Sequence, residues 1–334
     1  MWVGLRWVRG LGACLGLACT AGLERLWSAK GWVAGQMVKS RVAIGTWAYI
    51  RGGHAANPIP LPTVLRHVQS HGFAGVELAG FAPHLHPRVF PTPASRREVK
   101  RWLDDAGLQA VCLAADFAEV PPALVEPARY VEVVQTNLEI CHELGIPMLR
   151  VDTISPSGSM PGGMDRETCF RRIAQTWRRA AETCARGGVR LVWEFEAAFL
   201  FNAPSEVVQL LHAVEHPSFS VLFDVFHAFN CGVLGARQTG EREILPGGVP
   251  QFARMLTGKI GLAHLSGYER ARAIDGAAMG RRTLSAGPDL GPAIEAIGMA
   301  GYAGEWWTVD LGGYWPDALA DTGRAKQFMD RLLK

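Results

Sequence analysis

From residue 41 onward the chain alternates between short apolar runs and segments of helical spacing, and it completes eight such units by its end. "RVAIGTWAYI", "FAGVELAG", "LQAVCLAAD", "PMLRVDT", "VRLVWEFEA", "FSVLFDVFHA", "KIGLAHLSG" and "GEWWTVDLGG" are the strand candidates. They are short and rich in apolar, β-branched and aromatic residues, as strands buried on both faces of a parallel sheet must be. The segments between them carry helix punctuation. "LPTVLRHVQSHG" stops on Gly72, and "SRREVKRWLDDAG" opens with Ser95 and Glu98 in capping-box spacing and closes on Gly107. Strict βα alternation predicts an α/β protein. Eight units with no linker between 41 and 334 predict a closed (β/α)8 TIM barrel in one domain. An open doubly wound sheet is the competing arrangement. It usually carries a Gly-rich phosphate turn after its first strand, and "GTWAYIRGGHAANP" is not G-x-G-x-x-G.

Composition narrows the function classes. A net charge of +3, with no dense Lys/Arg run interleaved with aromatics, gives no footing for nucleic acid. The seven cysteines are widely spaced and form no C-x-x-C pair. They read as buried thiols of a reducing, cytoplasmic compartment. Residues 1–38 stand apart from the barrel segment 39–334. Arg6 and Arg9 followed by "LGACLGLACTAGL" have the order of a secretory signal, and Met37 offers an alternative first residue. The apolar run is too short to span a bilayer as a helix, so no membrane partner is expected.

In a (β/α)8 barrel, chemistry sits at the carboxyl ends of the strands. Ionisable residues gather there. The second strand carries Glu77, the fourth Arg150 and Asp152, the fifth Glu194 with Glu196 two further on, the sixth Asp224 with His227 beyond it, the seventh His264 and the eighth Asp310. Carboxylates converging without a cation would repel one another. With imidazoles they make a donor set for a borderline-hard divalent ion. The metal set is therefore Glu194, Asp224, His264 and Asp310, with Mn²⁺ the first choice and Mg²⁺, Co²⁺ or Zn²⁺ as alternatives. Each residue also has a structural reading: Glu194 paired with Arg150, Asp224 capping the next segment, His227 or His264 as a satisfied histidine, Glu77 as a cap. In "GEWWTVDLGG", Glu305 opens the strand and faces the stability end, whereas Asp310 closes it. His84 and His86 in "FAPHLHP" are candidates of a substrate loop. Trp47, Phe81 and Trp307 suit either sugar stacking or core packing.

This constellation resembles the xylose isomerase-like TIM-barrel superfamily, within it the sugar phosphate isomerase/epimerase group, from about Val42 to the end. "GVRLVWEFE" is similar to its fifth strand with a metal-binding glutamate, "LFDVFHA" to its D-x-x-H stretch, "GLAHLSG" to its seventh-strand histidine, and "AGYAGEWWTVDL" to its last strand. The resemblance implies a divalent metal cofactor and a small carbohydrate substrate. It implies Glu194 and Asp310 as the proton-transferring pair working through a metal-stabilised enediolate. It implies His227 turned to the substrate or the metal and Arg270 on the substrate; Glu77, Glu196 and Trp47 are further substrate-binding candidates on their own placement. The sequence departs from the family in three places: Asp310 where glutamate is usual, "SAGPDLG" where a G-E-G turn is usual, and Leu200 where ketose epimerases carry a polar residue. An inosose-type dehydratase or lyase on the same barrel and a non-catalytic sugar-binding barrel are the alternatives. A nuclease would need more strand-end histidines than the ten of this chain supply. Assembly into a homo-oligomer is left open.

Overall fold

The computed structural model describes residues 40–157, 160–239, 241–268, 281–282, 284, 287–302, 305–312 and 316–334. The extension before residue 40 therefore lies outside the described residues.

Eight parallel strands close on themselves: β1 (Arg41–Gly45), β2 (Gly75–Gly80), β3 (Gln109–Ala115), β4 (Met148–Val151), β5 (Arg190–Glu194), β6 (Phe219–Asp224), β7 (Ile260–Leu265) and β8 (Trp306–Val309). Each pairs with its neighbour in sequence, and β8 pairs back with β1 through Arg41↔Trp306 to Ile44↔Val309. This is the expected (β/α)8 barrel, and all eight strand candidates contribute a strand. The described α-helices are α1 (Leu61–Ser70), α2 (Pro93–Asp105), α3 (Pro127–Leu144), α4 (Arg166–Arg186), α5 (Pro204–Val214), α6 (Val225–Gly232), α7 (Gly248–Met255), α8 (Gly291–Met299) and α9 (Ala318–Leu332). None of them is long and apolar enough to cross a membrane.

Two local readings change. The box that opens α2 is Thr92 with Ser95, not Ser95 with Glu98: Thr92 Oγ1 accepts from Ser95 N, and Ser95 Oγ accepts from Thr92 N. The segment after β6 starts as helix, because Asp224 caps α6 directly off the strand end. His227 consequently sits in the first turn of that helix.

Apolar residues fill two main compartments, with a small third cluster of Trp47, Ile50, Ala79 and Ala114. The larger lies between strands and helices, where Trp177, Trp193, Phe195, Phe223 and Phe252 pack in a chain of aromatic contacts. Burying one such aromatic is worth roughly 1.5–3 kcal/mol of transfer free energy. The smaller fills the amino-terminal half of the barrel with Ala43, Val111, Cys112, Met148, Val192, Leu222, Leu262 and Trp306. Trp306 fits because β2 has Gly75 there; a Cβ on Gly75 would stand 2.7 Å from the indole. Arg41 lies over the Trp306 ring at 4.0 Å and pairs with Glu305 at 2.6 Å, which puts Glu305 at the end of the barrel away from Asp310.

Candidate metal centre

Strand periodicity builds the site. Side chains two residues apart point the same way. Stepping two residues on from the apolar floor therefore leads from Met148 to Arg150, from Val192 to Glu194, from Leu222 to Asp224 and from Leu262 to His264; four residues on from Trp306 comes Asp310. Registers Asp224↔His264 and His264↔Thr308 level these positions across β6, β7 and β8. Glu194, Asp224, His264 and Asp310 are all buried, and each offers one donor atom lying within 4.8 Å of the others. The four expected metal residues thus share one point at the carboxyl end of four consecutive strands.

The donors differ in how they are held. His264 Nε2 lies 2.9 Å from Glu77 Oε1, both fully buried. Nδ1, on the other side of the ring, faces Glu194 Oε1 at 3.2 Å and Asp224 Oδ2 at 3.8 Å. Neither His264 Nδ1 nor Glu194 Oε1 makes a hydrogen bond. Carboxylates gathered this closely in a buried site repel one another, a cost that a cation would offset. Asp224 divides its oxygens: Oδ1 accepts from Phe226 N at 2.6 Å and His227 N at 3.3 Å, while Oδ2 lies 3.2 Å from Ser266 Oγ. The capping reading is met by Oδ1, and Oδ2 faces the centre without conflict with it. A set of three carboxylates and one neutral imidazole fits a borderline-hard divalent ion.

An arginine stands against the centre. Arg150 Nη1 is 2.6 Å from Glu194 Oε2 and its Nη2 is 3.5 Å from Asp152 Oδ2. Burial pushes the Glu194 carboxyl up, but Arg150 and His264 beside it bring it down to about 2. Burial pulls the His264 imidazole down, yet Glu77 and Glu194 raise it well above its ordinary value. Burial lifts Asp152 to about 6 against the pull of Arg150. Beyond this layer, Glu196 Oε2 lies 3.7 Å from His227 Nε2.

Trp47 closes one side. Its Nε1 donates to Asp310 Oδ1 at 2.7 Å, and its ring lies 5.7 Å from that of His264. Gly312 N donates to the same oxygen at 2.6 Å. Gly45 makes room for the indole, since a Cβ there would come within 2.2 Å of it. Trp47→Phe is expected to lower the stability of the metal-free protein by about 1.5–3 kcal/mol, the range for a hydrogen bond to a charged group. Urea unfolding measures it, and an unchanged midpoint would mean that this bond contributes nothing.

A family model of the xylose isomerase-like TIM barrel matches residues 65–332. The chain belongs to that family. No curated protein matches it. Among solved structures, a xylose isomerase-like TIM barrel/4-hydroxyphenylpyruvate dioxygenase fusion protein is 17% identical with a TM-score of 0.64; the match covers 88% of this chain and 43% of that one. D-psicose 3-epimerase from Clostridium cellulolyticum H10, solved with D-tagatose, is 15% identical with a TM-score of 0.61, over 87% of this chain and 98% of that one. A probable 3-DHS dehydratase, AsbF of Bacillus anthracis, is 14% identical with a TM-score of 0.64, again over 87% and 98%. Likeness at this level of identity extends to the fold.

Other expected residues of this xylose isomerase-like barrel fall as follows. Arg270 lies outside the described residues. Glu77 is not at a strand end: β2 runs on to Gly80, and Glu77 sits inside the barrel, behind His264 as seen from the centre. Its position suits orienting the imidazole and not touching a substrate. His84 is buried with Nε2 on the Ile59 carbonyl at 2.9 Å, and burial lowers it to about 4; His86 Nδ1 accepts from Arg88 N. Trp307 packs against Tyr302 in the outer core, whereas Arg51 covers the Phe81 ring at 4.3 Å. Leu200 is core. Sequence reasoning passed over Ser266, which touches both Asp224 and the Asp310 carbonyl. Its place two residues after His264, on the same strand face, was the available signal.

Proposed function

We propose that the chain is a divalent-metal-dependent isomerase or epimerase of a sugar, sugar phosphate or keto-sugar. The observation that carries this is the convergence of Glu194, Asp224, His264 and Asp310 on one point, with His264 Nδ1 and Glu194 Oε1 lacking hydrogen bonds. A divalent cation, Mn²⁺ first, held by these four would polarise a substrate carbonyl and acidify the adjacent C–H. Glu194 on β5 and Asp310 after β8 stand at the two ends of the β5–β6–β7–β8 arc, so they flank whatever lies over the centre. One takes the proton and the other returns it in an epimerisation; the same carboxylate does both in an isomerisation. Glu196, His227 and Arg270 are the residues proposed to hold substrate hydroxyls. Arg150 fixes the direction of Glu194 at the cost of making it a weaker base.

A lyase reading, on a keto-sugar or inosose, has one observation in its favour. Asp310 Oδ1 already accepts two hydrogen bonds, from Trp47 and Gly312. That holds Asp310 as a ligand and leaves proton abstraction to a single base, as an elimination requires. Metal-loaded protein incubated in deuterated water with ketoses, keto-sugars and inososes separates the two. Deuterium in recovered or rearranged sugar without loss of water is the expected outcome. Release of water in step with substrate loss would favour the lyase, and a protein that holds no divalent metal would sink both. Glu194→Gln is expected to lower turnover by about 10²–10⁴-fold, the range for a lost general base; an unchanged rate would rule out Glu194 as the base.

A further inference from the structure

The carboxylates of the centre continue sideways into a second group. Asp152, Glu194 and Glu196 each offer an oxygen, and these lie within 4.8 Å of one another. Asp152 is more than nine-tenths buried, and its Oδ1 accepts no hydrogen bond. Such a trio, sharing Glu194 with the first group, has the donor chemistry of a second divalent site bridged to the first. Two-metal centres with ions about 3.5–4 Å apart are built this way and suit in-line displacement at phosphorus.

What stands against Asp152 and Glu194 is a side chain. Arg150 Nη1 is 2.6 Å from Glu194 Oε2 and Nη2 is 3.5 Å from Asp152 Oδ2, with the guanidinium carbon 5.3 Å from the Trp47 ring centre. Arg150 is anchored in β4, where Arg150↔Val192 is a ladder pair. Its charge cannot titrate away under ordinary conditions. We propose that Arg150 is a built-in second cation: it holds the place that a second metal ion would take and keeps the centre mononuclear. The inference rests on the metal-centre reading above. Arg150 is then a positioning residue. It occupies Glu194 Oε2, turns Oε1 alone to the metal, and reserves the site for single-metal chemistry at a carbonyl.

The test is a count of ions. Protein saturated with Mn²⁺ and freed of excess by gel filtration is analysed by elemental mass spectrometry, with electron paramagnetic resonance reporting spin coupling between neighbouring Mn²⁺ ions. One ion per chain and an uncoupled spectrum are expected for the unaltered protein and for Arg150→Lys. Arg150→Ala is expected to take up a second ion with a coupled spectrum, and Arg150→Ala with Asp152→Asn to return to one. Two ions in the unaltered protein, or one in folded Arg150→Ala, overturn the proposal while leaving the metal centre intact. No ion in the unaltered protein overturns the centre itself. If Arg150→Ala does not fold, Arg150→Gln, which keeps most of the volume without the charge, carries the same expectation.

Discussion

His264→Ala is expected to abolish stoichiometric metal binding, and with it turnover. The change removes the single imidazole of the donor set and strips Glu77 of the N–H group it holds at 2.9 Å in a fully buried position. Leaving a charged acceptor unpaired in the interior costs about 1–3 kcal/mol or more, so the variant should also melt earlier. The clean readout is the metal response. At an ion concentration 100 times its dissociation constant, binding stabilises the folded state by about 2.7 kcal/mol. The unaltered protein should therefore melt several degrees higher with Mn²⁺ than with chelator, and His264→Ala should show no difference. Glu77→Gln supplies the graded case. It keeps the imidazole but weakens its anchor, and outer partners of this kind typically cost 10–100-fold in metal affinity. A His264→Ala protein that retains a full equivalent of metal would refute the assignment of His264.

The barrel was legible because each strand is a short apolar run bounded by helix signals, a pattern that survives without tertiary information. Asp224, His264 and Asp310 were legible for a related reason: parallel strands bury both faces, so a charged residue at the carboxyl end stands out against its neighbours. Glu77 was harder. Its type could be read, but where β2 ends depends on pairing with β3, and that pairing carries a register shift between Val76 and Glu77. A few residues of strand length convert a rim residue into an interior one. The helix beginning at Val225 was missed for a different cause. The first turn of α6 is buried all round, with three apolar residues about His227, so the run reads as a continued strand until Asp224 is seen to cap it.

Arg150 illustrates the limit of residue-by-residue reading. Pairing with Arg150 and metal ligation read as alternatives for Glu194 in the sequence, yet one carboxylate has an oxygen for each. Oε2 meets the guanidinium at 2.6 Å while Oε1 faces His264 Nδ1 at 3.2 Å. Sequence names the residue; which oxygen faces which partner is set by rotamer and strand register. The same division holds at Asp224, whose Oδ1 is tied to two backbone N–H groups, and at Asp310, whose Oδ1 is tied to the Gly312 N–H and the Trp47 indole. These ties lock the carboxylates in place and lower the entropic cost of gathering charges around an ion.

Metal uptake is expected to release a proton and to strengthen as pH rises. In the metal-free protein, burial pulls the His264 imidazole down, but Glu77 on one side and Glu194 on the other raise its pKa well above the ordinary value. That shift favours the cationic imidazole, whose second proton sits on Nδ1, the atom that would meet the ion. Binding must displace that proton. Below the raised pKa, affinity should climb about tenfold per pH unit. The metal-free protein moves the other way. A raised histidine pKa contributes stability that is complete below its ordinary value of about 6.5 and is lost as pH rises through the folded value. Asp152, lifted from 3.8 to about 6, acts in the same direction between those values. Glu194, held at about 2, adds stability above the ordinary carboxylate range that is lost as pH falls through about 2. The gap in melting temperature with and without Mn²⁺ should therefore widen with pH. Titration calorimetry in two buffers of different ionisation heat should find about one proton released per ion at about pH 7. An affinity flat across neutral pH, with no proton released, would mean that His264 is neutral in the metal-free barrel and that the neighbouring carboxylates do not hold its proton.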